Sequence, residues 1–308
     1  MYGVAISAVS CLRAGTSVHV AWLVDWEGLP GVDPTEAVAL TPGGGRIGVL
    51  ASGHLDTHLA DLPTPPHGTL VQIEMTGTDA LIAGLPEGGR ATLAVVPGTE
   101  LPDEIWSLLI ERRPLAVSAS LDGSRLGRIT LHEPGTADEL ADEQLGRGHT
   151  TSVLSEDRFV TAFVPVPRLA VFGGGPIAGA LAGGAELLGW QAAVSTDPDA
   201  AVGHMAGLAA IDAAVVMGHD VESSSRVLGA AIDSAAGYIG SLGSRRMQQQ
   251  RADWLAYRGI TDLDRVHGPA GIDIAAQTPA EIAISVLAEA VAERNRAGIS
   301  AEREQNRW

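Results

Sequence analysis

The chain has 308 residues, longer than one ordinary domain and long enough for two that each bury a core. Twenty Lys and Arg against 37 Asp and Glu give a formal net charge of −17, which opposes sequence-independent attraction to nucleic acid or an anionic membrane and requires any bound phosphate to be held by local groups. No apolar run reaches the roughly 18 residues of a membrane helix, the start MYGVAISAVSCLRAG lacks a basic n-region, and Cys11 is the single cysteine; a cytoplasmic protein with no membrane span, no internal disulfide and no cysteine metal cluster is expected.

In chain order, short β-rich runs are predicted at 17–26 (SVHVAWLVDW), 46–51, 69–75, 91–96, 115–121, 126–132 and 158–164, separated by turn signals such as Pro30-Gly31, Pro42-Gly43, Pro97-Gly98 and Asp122-Gly123. Helices are predicted over 55–62 and 102–112. Residues 136–148, acidic and flanked by glycine, read as an exposed connection. The first half is therefore an α+β domain with a largely β core. Trp22, Trp26 and Trp106 belong to its core or rim. His54 and His58 fall four apart on the first predicted helix with Asp56 between them, but no third ligand can be assigned and no metal site is expected. Ser52 follows no G-x-S-x-G pattern, so no nucleophile is assigned. Pro165-Val166-Pro167 bars regular pairing and divides the chain into domains 1–166 and 167–308.

The second half opens with an apolar strand at 168–172. The turn Gly173, Gly174, Gly175 follows, with Ala178 completing a G-x-G-x-x-A spacing: a tight turn, close backbone approach to a pyrophosphate, and close helix packing. Pro176 and Ile177 start the helix. A second strand at 191–196 ends in Asp197, 197 − 175 = 22 residues past the second glycine of that spacing, where a ribose diol is held in dinucleotide-binding units. A third strand, 213–217, carries Gly218, His219 and Asp220 at its carboxyl end. Residues 224–233 form a helix and 238–242 a further strand. Gly243-Ser244-Arg245-Arg246 then opens the helix 247–258, an N-cap beside two arginines and a candidate anion site. Val266-His267 leads into the loop 268–271. Thr278, Pro279 and Glu281 form a capping box for a last helix reaching about residue 294, and the charged tail 302–308 frays. The fold class expected is α/β, a Rossmann-like parallel sheet with helices on both faces, preceded by the β-rich α+β domain.

The pieces VFGGGPIA (171–178), VVMGHD (215–220), YIGSLGSRR (238–246) and RVHGPAGIDIAAQTPAEIAISVLAE (265–289), in that order, resemble the carboxyl-terminal Rossmann domain of the xanthine dehydrogenase accessory factor family, XdhC/CoxI or CoxF. The resemblance implies a protein that binds molybdenum cofactor (molybdopterin), supports its sulfuration, and delivers it to a molybdenum hydroxylase such as xanthine dehydrogenase. It further implies a homodimer, with a cysteine desulfurase as a possible partner. The amino-terminal domain matches less well. Where the family carries Ser-Gly-Gly-Cys, this chain reads Ala51-Ser52-Gly53-His54-Leu55-Asp56. Ser52, Gly53 and His54 are the candidate cleft there, and an imidazole replaces a soft, sulfur-handling thiolate. Thr196-Asp197-Pro198-Asp199 also lacks the arginine that family members tend to place after their second Rossmann strand.

Two functions follow. One is a cofactor-binding chaperone; the other is an NAD(P)-dependent oxidoreductase using the same turn, with His219 or His267 as proton donor. The first is favoured, so the chain is read as a chaperone rather than an enzyme. In both, the ligand lies across the helix starts after Gly175 and Gly243, held by residues 173–177, Asp197, His219, Asp220, Gly243, Ser244 and Arg245.

Overall fold

The computed structural model describes residues 1–305 apart from 60, 61, 83, 86 and 87. The chain divides into two compact units, Met1–Pro165 and Val166–Trp308.

Unit 1 runs α1 (Ala5–Arg13), β1 (His19–Glu27), β2 (Ala37–Leu40), β3 (Arg46–Val49), α2 (Asp56–Leu59), β4 (Thr69–Met75), α3 (Gly77–Ile82), β5 (Gly89–Pro97), α4 (Glu104–Ile110), β6 (Leu115–Asp122), β7 (Arg125–Leu126), β8 (Thr130–His132), α5 (Glu139–Gly146), β9 (Thr151–Leu154) and β10 (Arg158–Phe163). Its antiparallel strands are ordered β3-β2-β1-β5-β4-β7-β6-β10-β9, with β8 on β6. β1 is buried on both faces, because Val20, Trp22 and Val24 enter one core while Ala21 and Leu23 enter another. Trp22 meets the rings of Phe159 and Phe163 from β10 and donates its indole N–H to Thr161 Oγ1 at 3.1 Å.

Four features of unit 1 differ from expectation. The run 126–132 breaks because β7 pairs at Leu121↔Leu126 while β8 pairs at Ser118↔Thr130, a register slip of one residue at 128–129, after the Gly127 amide has bonded Ser120 O. The acidic stretch 136–148 contains α5, capped by Asp138 accepting from the Ala141 amide, with Ala141 and Leu145 buried against Val160 and Ala162. The helix expected at 55–62 is confined to α2, with residues 60 and 61 outside the described residues. β2, β9, α1 and α3 are additions; each is short, and α1 is rich in small residues that give weak periodicity.

Unit 2 runs β11 (Arg168–Phe172), α6 (Pro176–Leu187), β12 (Gln191–Ser195), α7 (Pro198–Ala206), β13 (Ala213–Val216), α8 (Val221–Asp233), β14 (Tyr238–Ser241), α9 (Arg245–Tyr257), β15 (Val266–His267) and α10 (Pro279–Gln305). Its five strands are parallel in the order β12-β11-β13-β14-β15. α6 and α10 cover the face presenting Leu169, Val171 and Val215, and α7, α8 and α9 cover the face presenting Ala170, Phe172, Ala214 and Val216. Burial on both faces explains the near-continuous apolar strand sequences. The capping box is formed: Thr278 Oγ1 accepts from the Glu281 amide at 3.3 Å, and Glu281 Oε2 accepts from the Thr278 amide at 2.9 Å. α10 continues to Gln305, so 302–305 are helical, and 306–308 lie outside the described residues. At the amino edge of the sheet, the buried carboxylate of Asp212 accepts from the amides of Arg168 at 2.8 Å and Ala209 at 2.9 Å.

Because each unit has its own buried cores, residues 166–308 expressed alone are expected to fold. Far-ultraviolet circular dichroism and a cooperative thermal transition check this; an unfolded spectrum in native buffer would contradict it.

Candidate functional site

In unit 2 the chain leaves β11 for β12 on one side and returns to β13 on the other, so the carboxyl ends of β11 and β13 form the switch point at which open parallel sheets place their ligand crevice. The glycine turn lines it. The Gly173 amide donates to Ser195 O at 2.9 Å, tying the turn to the end of β12. With φ +131°, a Cβ on Gly173 would stand 2.5 Å from Met217 Cγ. Gly175 has φ +85° and caps α6 without a side chain, and a Cβ placed on it would have no atom within 4 Å. Backbone conformation therefore demands glycine at 175, while the space beside it stays open to a ligand. Pro176 is at the first turn of α6, Ile177 is half-buried, and Ala178, 2% exposed, packs toward the sheet. The first amides of this 12-residue helix lack intrahelical acceptors and carry the positive end of its dipole.

The neighbouring strand ends contribute further groups. Asp197 follows β12, exposed, with one carboxylate oxygen capping α7 through the Asp199 amide at 3.1 Å. His219 is exposed, and Asp220 caps α8 by accepting from the Ser223 amide at 2.7 Å; that amide and the Ser223 hydroxyl hold the Asp220 carboxyl below its ordinary range. Ser244 caps α9 through the Met247 amide at 3.3 Å, next to Gly243 with φ +147°, and Arg245 is exposed in the first helical turn. The helix starts after Gly175 and Gly243 reach the same edge, with β13 between their strands, but from opposite faces: α6 packs on one and α9 on the other. At about 4.8 Å per strand, these two turns are separated by roughly 10 Å.

His267 is drawn elsewhere. On β15, beyond β14 from the crevice, its ring stacks on Tyr238 at 4.9 Å and its Nδ1 lies 3.3 Å from Glu289 Oε1. Glu289 Oε2 accepts from both the Tyr238 hydroxyl and the Gly271 amide at 2.7 Å, so this cluster anchors the loop after β15 to α10.

Sequence reasoning passed over Arg251. Its side chain is buried at 1% exposure under the ends of β13 and β14, where Nε donates to Ser224 Oγ at 3.0 Å and the two terminal nitrogens donate to Ser241 Oγ, Leu242 O and Gly218 O at 2.8, 2.8 and 2.6 Å. Burial lowers its pKa from the usual arginine value. The available signal was its place four residues before Leu255 and three after Gln248, a polar residue on the inward stripe of α9.

In unit 1, Ala51, Ser52 and Gly53 are successive left-handed residues with φ of 52°, 54° and 89°. The Ser52 amide donates to Glu36 Oε2 at 2.7 Å and its hydroxyl to Gly31 O at 2.6 Å. Burial pushes the Glu36 carboxyl up, against the Ser52 amide that draws it down. Strain at two non-glycine residues in sequence marks this as an over-determined turn. His54 follows it with Nε2 3.2 Å from Pro30 O, and lies before α2 rather than on one helix with His58. Among the described residues, no three His, Cys, Asp or Glu side chains are grouped to hold a metal ion, and no helix is long and apolar enough to cross a membrane.

Residues 169–290 match the family described as the XdhC Rossmann domain. An uncharacterized protein of Escherichia coli K12, YqeB, is 30% identical over 159 residues, which are 45% of this chain; the match spans only 29% of that relative's length. A solved structure titled as a xanthine dehydrogenase from Bacillus halodurans aligns over 95% of this chain and 96% of its own, with 18% identity and a TM-score of 0.42.

Gly175→Val should lower the stability of the ligand-free protein by about 1–3 kcal/mol, the cost of holding a residue with a Cβ at φ +85° and ψ −168°, a region left essentially to glycine, because the surrounding space itself accepts the side chain. Equilibrium denaturation measures it, and an unchanged midpoint would contradict the left-handed turn.

Proposed function

We infer that this chain, whose residues 169–290 form an XdhC Rossmann domain, is an accessory factor that binds molybdenum cofactor as cargo and supports its passage to a molybdenum hydroxylase. The observation that carries the reading is the glycine turn of that domain, with open space beside Gly175 and the free amides of α6 at a strand-order reversal. A pterin cofactor carries a phosphate or a dinucleotide pyrophosphate, and both suit a helix start. In this reading Gly173 to Ile177 hold the phosphoryl groups, Arg245 adds a charge-assisted contact, and Ser244 and Asp220 shape the rim. The pterin's metal chemistry belongs to the client enzyme; here the protein's part is to bind and shield.

His54 bears on sulfuration. An imidazole cannot carry a persulfide, so the sulfur in this reading comes from a separate cysteine desulfurase and not from position 54. The second reading, an NAD-binding oxidoreductase, is favoured by Asp197, exposed at the end of β12 where a ribose diol would sit. The displacement of His267 into the Tyr238–Glu289 cluster leaves His219 as its proton donor.

Protein purified from a molybdenum-replete host should carry molybdenum and release a pterin on oxidative extraction. Arg245→Glu should reduce that content about tenfold, since a charge-assisted hydrogen bond contributes roughly 1.5–3 kcal/mol. Retention of NAD without pterin would replace this reading with the oxidoreductase, and equal pterin content in Arg245→Glu would remove Arg245 from the site.

A further inference from the structure

A buried guanidinium is ordinarily matched by a carboxylate, because desolvating a charge is costly unless it is paired. Arg251 is 1% exposed, and its hydrogen-bond acceptors are two serine hydroxyls and two backbone carbonyls, with no carboxylate partner among the described residues. The two carbonyls are those of Gly218, two residues past the end of β13, and Leu242, directly after β14, at the carboxyl edge of the sheet.

A trans peptide points its C=O and its N–H in opposite directions. Both peptides are trans, the one cis bond among the described residues being Gly268-Pro269. When Gly218 O and Leu242 O turn inward to Arg251, the N–H groups of His219 and Gly243 turn away from it. Neither amide donates to a protein acceptor among the described residues. The hydroxyls are consistent with a fixed arrangement: Ser241 Oγ accepts from Arg251 while donating to Gln248 Oε1 at 2.7 Å, and Ser224 Oγ accepts from Arg251 while donating to Asp220 O at 2.6 Å. The carboxylate of Asp220, two residues past Gly218, is turned to the Ser223 amide, and that of Asp253, the acid nearest to Arg251 in sequence, accepts from Gln249 Nε2 at 2.8 Å.

We propose that Arg251 builds a second phosphoryl subsite across the ends of β13 and β14, one strand from the glycine turn, by orienting the His219 and Gly243 amides outward and placing an uncompensated positive charge beneath them. The inference rests on the phosphorylated-ligand reading of this edge and assigns its charge selectivity. Arg251 acts through these amides as a positioning residue and, through its charge, as the group that makes the edge select phosphate. Bound phosphate supplies the anion that the buried cation lacks, which a neutral ligand cannot do. Selectivity should therefore follow ligand charge.

The test is calorimetry on the full chain at low salt with inorganic pyrophosphate, ADP and adenosine as probes, in wild type, Arg251→Gln and Arg251→Lys. Wild type should bind ADP more tightly than adenosine. Arg251→Gln should lose at least about tenfold in ADP and pyrophosphate affinity while adenosine changes less than about twofold, and Arg251→Lys should recover part of the ADP affinity. Equal losses for ADP and adenosine, or no loss, would overturn the subsite while leaving the glycine turn standing. Wild type binding none of the probes would instead overturn the phosphorylated-ligand reading. Amide NMR on wild type serves if the variants fail to fold: phosphate should shift His219 and Gly243, and shifts confined to Gly175 to Ile177 would overturn the proposal.

Discussion

The carboxyl edge of the parallel sheet depends on one buried cation. Arg251 reaches from α9 to hydrogen-bond α8 through Ser224, β14 through Ser241, and the residues just beyond β13 and β14 through Gly218 O and Leu242 O. These bonds hold two strand ends and two helices in one arrangement, and the turns that would face a ligand are continuous with them. At the opposite edge the buried Asp212 does the converse, collecting the amides of Arg168 and Ala209. Positive charge thus lies under the edge where parallel strands place ligands and negative charge under the other, the same sense as the aligned helix dipoles. In a chain of net charge −17, attraction for an anion has to come from such local organisation and not from the overall charge.

Much of unit 2 was legible because its constraints are backbone constraints. Gly175 is glycine for its positive φ, and Gly173 for both its φ and the proximity of Met217, so the turn can be read from residue type and spacing alone. The capping box of α10 is legible for a similar reason: Thr278 and Glu281 satisfy each other's ends of the helix through fixed local geometry. Arg251 was legible only through its helical spacing from Leu255 and Gln248. It sits in the polar run RRMQQQRADW, where that spacing is easily overlooked, and the packing of α9 on α8 is what sets it apart from Arg245 and Arg246, which are exposed. α7 was missed because its apolar residues are mostly small alanines, and only Ala201 and Met205 are fully buried, with Val202 partly so.

Unit 1 was legible in its long strands and less so between them. β1, β4, β5, β6 and β10 are set by runs of β-branched and apolar residues, whereas β7 and β8 are separated by a register slip that no composition signal marks. The turn at Ala51 to Gly53 carries backbone strain held by Glu36 and Gly31, so its shape is maintained although the residue after it is a histidine. The parallel-sheet unit and this turn therefore tell different things about the chain. The carboxyl edge of unit 2 has a glycine turn with open space beside Gly175 at the start of α6, while position 54 lacks the chemistry of a sulfur carrier.

Hydrogen exchange of the full chain with and without a saturating phosphorylated ligand, ADP as probe, tests the central claim most directly. Slowed exchange should appear at Gly174, Gly175 and Ile177, at His219 and at Gly243 to Arg245, which are amides of one sheet edge. Binding with protection elsewhere and none in these segments would contradict the account.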